Sequence, residues 1–469
     1  MNFIMLQRRY RVIALCAFFI GGFAFTSSAS ANDLVAIYQQ AVESDHQFKA
    51  DIADSRATIE QKNIALAGLL PTIVGRATQT ETATETNTAD IRFVDLDSGN
   101  IINPIESTDT RYSVSLTQPL FNLSVWHNYK AGQTAKDIAE AQVQTAQQSL
   151  ILRVASAYFE ALEASDRLDN NVAEEEAFEQ QLEQSRQRFE VGLSAITEVH
   201  ESQASYDSAV ARRLGAEGEL GIAFEALEVL TGETYTSIAG IKEGFEAINP
   251  IPAERQQWVE RALENNAALE TARANAKASD QMAKSARAAH LPTLELSASY
   301  NDSESESNLV RNNGATDSEV IGFTLNVPIF TGGATSASRR QAKQQAIQAR
   351  QTYLGQRRNV TQNARSNYLS VITSVATVRA LKQAIVSNQS ALEATQAGYS
   401  VGTRDLVDVL NAQRGLYQAR QNYFNALYTY ILNSLRLKET AGILNQDDLV
   451  QLNNWLDTSK PVMKSANLN

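Results

Sequence analysis

From Leu123 to Phe189 the chain runs 67 residues in a helical apolar pattern, with no proline and one glycine, Gly132. A continuous helix of that length is about 100 Å long, against a globular mean of about 11–12 residues. A rod of that length does not fit inside a globular domain and needs partners along its whole side. The sequence supplies one, because Thr331 to Ala397 repeats the pattern at the same length. Each rod runs into a glycine-centred turn, F-E-V-G-L-S-A-I-T-E-V at Phe189 to Val199 and G-Y-S-V-G-T-R-D-L-V-D-V-L-N-A-Q at Gly398 to Gln413, with the two glycines 210 residues apart. A second helix leaves each turn, from Ser194 to about Leu230 and onward to Thr440. The chain is built twice.

The duplication extends upstream of the rods. Helical patterns over Asn32 to Leu70 and Ala253 to His290 stop at Leu70-Pro71-Thr72 and Leu291-Pro292-Thr293, where the period changes to two. Hairpins are predicted at 72–121 and 293–330. In the first, Tyr112, Val114, Leu116 and Leu120 face one way and Arg111, Ser113, Ser115 and Thr117 the other; in the second, Leu294, Leu296, Ala298 and Tyr300 alternate with polar residues, as do Ile321, Phe323, Leu325 and Val327. The polar runs Thr78 to Asp90 and Asn301 to Asn308 read as connections outside the strands. The expected divisions are 1–31 (signal), 32–232 (first repeat), 233–252 (connector), 253–442 (second repeat) and 443–469 (C-terminal segment). That last segment is expected to hold a short helix near Asp447 to Leu456 and a disordered tail after Lys460.

Arg8, Arg9 and Arg11, the 14-residue apolar run Val12 to Phe25 and the small residues Ala29-Ser30-Ala31 form a secretory signal, with an uncleaved anchor as the alternative. The lone cysteine, Cys16, lies in that run, so thiol chemistry is not expected after cleavage. An exported chain with no other long uninterrupted apolar run enters a membrane, if at all, as β-strands. Alternating strands of roughly 9–11 residues suit a barrel wall, apolar towards lipid and polar towards water. Four strands cannot close a barrel, and open edges are not tolerated in lipid, so several chains must each donate four. In the last helix Leu406, Leu410, Tyr417, Phe424, Leu427, Ile431 and Leu435 recur at near-heptad spacing. Narrow seams with much polar surface suit helices packed in the wall of a hollow cylinder.

The turn Ala397 to Gln413, the weaker copy Arg188 to Val199 and the Leu-Pro and Val-Pro-Ile-Phe junctions resemble the TolC-type outer-membrane efflux protein family over roughly residues 32–445. The resemblance implies an α+β fold of mainly long helices. Four strands per chain would form a 12-stranded outer-membrane barrel in a homotrimer, continued by a periplasmic α-helical barrel. It implies as partners outer-membrane lipid, a periplasmic adaptor (membrane fusion) protein, and an inner-membrane efflux pump or ABC secretion transporter. The exported cargo would be drugs, toxic small molecules or proteins (type I secretion). It also implies a gate at the periplasmic helix tips, with Tyr399 and Arg404 on one hairpin facing Thr197 and Glu198 on the other. Glu198 stands where relatives have Asp, and an Arg404–Glu198 link is implied. Asp408 maps to one acidic constriction ring and Asn411 to a second, which is lost here. Gly192 and Gly402 mark the hairpin turns that would meet the adaptor. From the residues alone, Arg404, Asp408 and Asn411 share one helix face, and a solvated Arg404–Asp408 pair worth about 0.3–0.5 kcal/mol is the competing reading.

Other chemistry has little support. His46, His127, His200 and His290 are scattered, and no nucleophile elbow, phosphate loop or dinucleotide fingerprint appears. No catalytic residue, cofactor or metal is expected. The formal net charge of −12 argues against nucleic acid as a partner. Trp126 and Tyr129 are candidates for a membrane interface or for ordinary packing. The rival function is a periplasmic coiled-coil adaptor or scaffold, which would share the signal and the long helices but has no need of two lipid-facing hairpins.

Overall fold

The computed structural model describes residues 32–85, 94, 101, 104–242, 244–308 and 313–464. The expected signal at 1–31, with Cys16, lies outside the described residues. In chain order the elements are α1 (Leu34–Ser44), α2 (His46–Ala67), β1 (Thr72–Thr84), β2 (Ile105–Phe121), α3 (Leu123–Gly132), α4 (Ala135–Glu190) and α5 (Ile196–Thr231). Then come β3 (Ser237–Ile241), α6 (Arg255–Asn265), α7 (Ala267–Ala288), β4 (Thr293–Ser307), β5 (Gly314–Asn326), α8 (Ala334–Ser400), α9 (Leu406–Thr440), α10 (Gln446–Asn453) and β6 (Leu456–Met463).

The expected helix over Asn32 to Leu70 is two helices, broken at Asp45, whose side chain caps α2 while taking a bidentate grip from Arg153 at 2.7 and 3.0 Å. Asn266 breaks the second copy in the same way, accepting from the Leu269 amide. The rod expected from Leu123 is also interrupted, between α3 and α4. There Gly132 sits so close to α2 that a Cβ would lie 2.6 Å from that of Ala65, and Thr134 turns its hydroxyl back to the Ala131 carbonyl at 2.8 Å. What remains is a 56-residue α4, and α8 is unbroken over 67 residues.

The two hairpins join into one antiparallel sheet of order β1-β2-β4-β5. Its register places Ile73, Leu116, Ala298 and Ile321 in one row, with Leu296 opposite Phe323 and Leu294 opposite Leu325 on the same face. On the other face a row runs Arg76, Ser113, Asn301 and Ser318. The apolar face is the exposed one: Ile321 is 77% and Phe323 70% accessible, whereas Ser113 and Ser115 are half-buried. This is the reverse of a water-soluble sheet. The polar runs read as connections are instead strand as far as Thr84 and Ser307, because the ladder continues through Thr84–Ile105 and Ser107–Ser307. Backbone pairing holds a strand there with no apolar alternation to announce it. Pro119, which lacks an amide donor, coincides with a register shift between Pro119 and Phe121.

The main core lies at mid-length, where Tyr158, Phe159, Leu227, Tyr428 and Ile431 are buried together. The connector contributes β3, which pairs with β6 from the C-terminal segment, and the Tyr158 hydroxyl donates to the Ala239 carbonyl at 2.6 Å. This corrects the expectation of disorder beyond Lys460: β6 runs to Met463, and only 465–469 lie outside the described residues. The short expected helix is α10, closed by an Asn445–Asp448 capping box. Along α8 one stretch is apolar and long enough to cross a membrane by length and composition, and most of it is accessible in the single chain, including Leu369 at 51% and Val386 at 56%.

Candidate functional site

Both helical hairpins close in the same way. Gly192 and Gly402 are left-handed, at φ 73° and 78°. Their amides donate to Phe189 and Tyr399 carbonyls at 2.9 and 3.1 Å, and the next amides reach back to Arg188 and Gly398 at 2.8 and 2.9 Å. This is the two-bond helix stop that favours glycine. The copies then diverge. In the second turn Gly398 leaves room for the returning chain, since a Cβ there would meet Arg404 Cγ at 2.8 Å. Asp405 caps α9 by accepting from the Asp408 amide at 2.9 Å, whereas Ala195 at the matching position gives α5 no side-chain cap.

Of the expected gate residues, Tyr399 and Glu198 come together. The Tyr399 hydroxyl donates to Glu198 Oε2 at 2.9 Å, joining the two hairpins across 201 residues of chain. The ring packs against two apolar clusters, one containing Leu406 and Leu410 and the other Leu392 and Val409. The Arg188 guanidinium lies over it, 5.0 Å from the centroid. Burial, followed by the Glu198 hydrogen bond and charge, raises the Tyr399 hydroxyl above its usual range, and Arg188 pulls the other way. The hydroxyl therefore stays a neutral donor.

The implied Arg404–Glu198 link is absent. Arg404 precedes the cap of α9, outside the helix, and its Nη1 lies 3.3 Å from Asp408 Oδ2. The pair is exposed, 61% and 41% by side chain. The shared-face expectation thus changes: α9 carries Asp408 and Asn411, while Arg404 reaches Asp408 from the turn. Thr197 is exposed in the first turn of α5, and Asn411 is exposed on α9. Arg188 was missed as a contact. It opens the R-F-E-V-G-L stretch that runs into the first glycine turn, but only packing shows which ring it covers. Among the described residues no group of three or more His, Cys, Asp or Glu is placed to hold a metal. The Trp126 and Tyr129 rings meet at a tilt, centroids 5.8 Å apart, just past β2, and Trp126 is 44% exposed with Lys130 over its ring.

An apolar-outside sheet continued by helices of this length defines a membrane channel with a helical extension. The family model described as "Outer membrane efflux protein" matches residues 37–233 and 258–443, and the chain belongs to that family. Outer membrane protein TolC of Escherichia coli strain K12 is 36% identical over 448 residues, covering 93% of this chain and 87% of that one. Proteases secretion protein PrtF of Dickeya chrysanthemi is 29% identical over 448 residues, covering 94% and 95%. Among solved structures, the Campylobacter jejuni CmeC outer membrane channel superposes with a TM-score of 0.72 at 18% identity, covering 91% and 90%. The chain is an outer-membrane protein of a channel family, not of an enzyme family, and the adaptor alternative falls away.

Proposed function

We propose that the chain is the outer-membrane exit duct of an export machine, gated where its two helical hairpins meet. Three copies would close a 12-stranded barrel. The unpaired edges β1 and β5 and the accessible apolar stretch of α8 support this, because both need a neighbouring copy. The partners are a periplasmic adaptor and an inner-membrane efflux pump or ABC secretion transporter. Exposed Val191, Leu193 and Val401 beside Gly192 and Gly402 give that adaptor an apolar tip to dock on. The names of relatives, TolC on one side and a protease secretion protein on the other, support efflux of small molecules and type I secretion alike.

The observation that carries the gate is the Tyr399–Glu198 hydrogen bond. It ties the α4–α5 tip to the α8–α9 tip side chain to side chain, beside the Arg188–Tyr399 contact. Arg188 covers the Tyr399 ring; Thr197 and the turn residue Arg404 are assigned to the same gate, and Asp408 and Asn411 to the constriction. In planar bilayers Tyr399→Phe is expected to raise single-channel conductance, with Tyr399→Phe/Arg404→Ser higher still and Arg404→Ser alone the smallest step. Conductance unchanged in all three removes the gate from this site.

A further inference from the structure

Far from the hairpin tips the fold encloses a cavity that the export reading does not use. It has a volume of about 560 Å³ and lies between the loop at 244–251 and helices α6, α8, α9 and α10. Its position is roughly 36 Å along α9 from the gate, since Tyr430 follows Leu406 by 24 residues. The floor is aliphatic, formed by Ile431, Leu435 and Leu437, each buried. One wall is a continuous run of rings, with Trp455 against Phe245 at 5.3 Å and Phe245 against Tyr430 at 6.2 Å. The loop is fastened over it, because the Tyr430 hydroxyl accepts from the Ile248 amide and donates to the Ile248 carbonyl, both at 3.0 Å. The cavity is of drug-like size, largely apolar and at the junction of several elements, the usual properties of a small-molecule site.

Its charges select the ligand. Three charged side chains line it: Glu246, Lys438 and Asp448. Lys438 Nζ and Asp448 Oδ1 are 2.6 Å apart, and Asp448 Oδ2 also accepts the Asn445 amide, so this pair neutralises itself. Glu246 is exposed at the mouth, with no ion pair or hydrogen bond to another described side chain. An anion entering would meet the Glu246 carboxylate and find Lys438 already engaged. A hydrated inorganic cation would have to shed water against an aliphatic floor. A hydrophobic organic monocation satisfies both ends, with its apolar body on Leu435 and the rings and its charge shared between Glu246 and the aromatic faces.

We propose that this cavity is a binding site for hydrophobic organic monocations, distinct from the hairpin tips. The proposal does not depend on the gate assignment. The test uses the full-length protein as purified, held in amphipol, with Trp126→Phe as background so that Trp258 and Trp455, both lining the cavity, are the tryptophan reporters. The probes are tetraphenylphosphonium and its anionic isostere tetraphenylborate, which match in size and differ in the sign of the charge. Tetraphenylphosphonium is expected to give a saturable change in tryptophan emission, with tetraphenylborate weaker. Glu246→Gln should weaken phosphonium binding roughly two- to five-fold, the range of an exposed ion pair. Glu246→Lys, at an exposed site that leaves the fold intact, should reverse the preference towards the borate. A response that never saturates, equal affinity for the two ions, or titrations unmoved by both Glu246 substitutions each overturns the proposal.

Discussion

At the scale of single residues, the tip is organised by which acid each cation finds. Arg404 lies next to Asp408 and not Glu198, so Glu198 is left to the Tyr399 hydroxyl. If Asp408 forms the cation-binding ring, Arg404 competes with any cation for it. Asp408→Ala is then expected to abolish block by a trivalent cation such as hexaamminecobalt applied from the periplasmic side. Arg404→Ser should strengthen the block by releasing the carboxylate. Equal block in wild type and both variants would remove Asp408 from the constriction. Asp405, three residues before Asp408, is the α9 helix cap, and its Oδ1 accepts the Asp408 amide. The sequence shows the acid and its spacing, but the cap depends on where α9 starts.

At the scale of elements, the two hairpins are tied internally in different ways. Between α4 and α5, Arg167–Glu219, Arg212–Glu174 and Arg213–Glu175 lie at 2.8, 2.9 and 2.5 Å. Between α8 and α9 the polar ties described are amide and hydroxyl contacts, such as Asn433–Ser374 at 3.1 Å and Asn367–Thr440 at 2.7 Å. Where α4 meets α9, Asp166 accepts from the Tyr428 hydroxyl at 2.6 Å. Burial pushes Asp166 up to about 6, with help from Asp169 and Glu163, and burial also raises those two acids. Tyr423 and Tyr428 face this group from α9, and Arg167 bridges from it to Glu219 on α5.

A raised carboxyl favours the folded state fully below its unfolded value, and the contribution is lost as pH rises through the folded value. The α4–α9 contact should therefore be strongest near pH 4 and weakest above pH 7. Asp166→Asn, which cannot ionise, is expected to be more stable than wild type at pH 8 by roughly 1–3 kcal/mol. The difference should vanish at pH 4. Thermal unfolding of the two proteins at both pH values checks this, and parallel curves at both would show that Asp166 does not titrate in that range.

At the scale of the whole molecule, the sheet determines where the protein resides. Phe323 and Thr324 are neighbours on β5 but point to opposite faces, Phe323 opposite Leu296 and Thr324 opposite Glu295. A lysine on the lipid face costs about 2–4 kcal/mol near the midplane, and one facing water little. Phe323→Lys is expected to reduce heat-modifiable oligomer in outer-membrane fractions, while Thr324→Lys leaves it near wild type. Equal yields of the two would mean that the apolar face does not meet lipid.

Much of this was legible in order of residues. Long helices, the two glycine stops, the Leu-Pro junctions and the alternating strand cores follow from local rules that need no partner. Helix needs periodic apolar spacing without proline, a tight stop needs a residue that tolerates positive φ, and a lipid-facing strand needs period two. Only the tertiary structure decided the rest, because each part depends on residues far apart in sequence. Asp45 and Asn266 break helices where capping and packing outweigh periodicity. β3 and β6 become strands only by finding each other across more than 200 residues. The polar strand ends persist because backbone hydrogen bonds do not depend on side-chain pattern. At the hairpin tip, residue spacing alone related Arg404 to Asp408, and only the family resemblance implied that Tyr399 and Glu198 lie near them. Which donor meets which carboxylate was decided by the turn at Gly398 to Asp405, which holds Arg404 outside the helix and leaves Tyr399 facing Glu198.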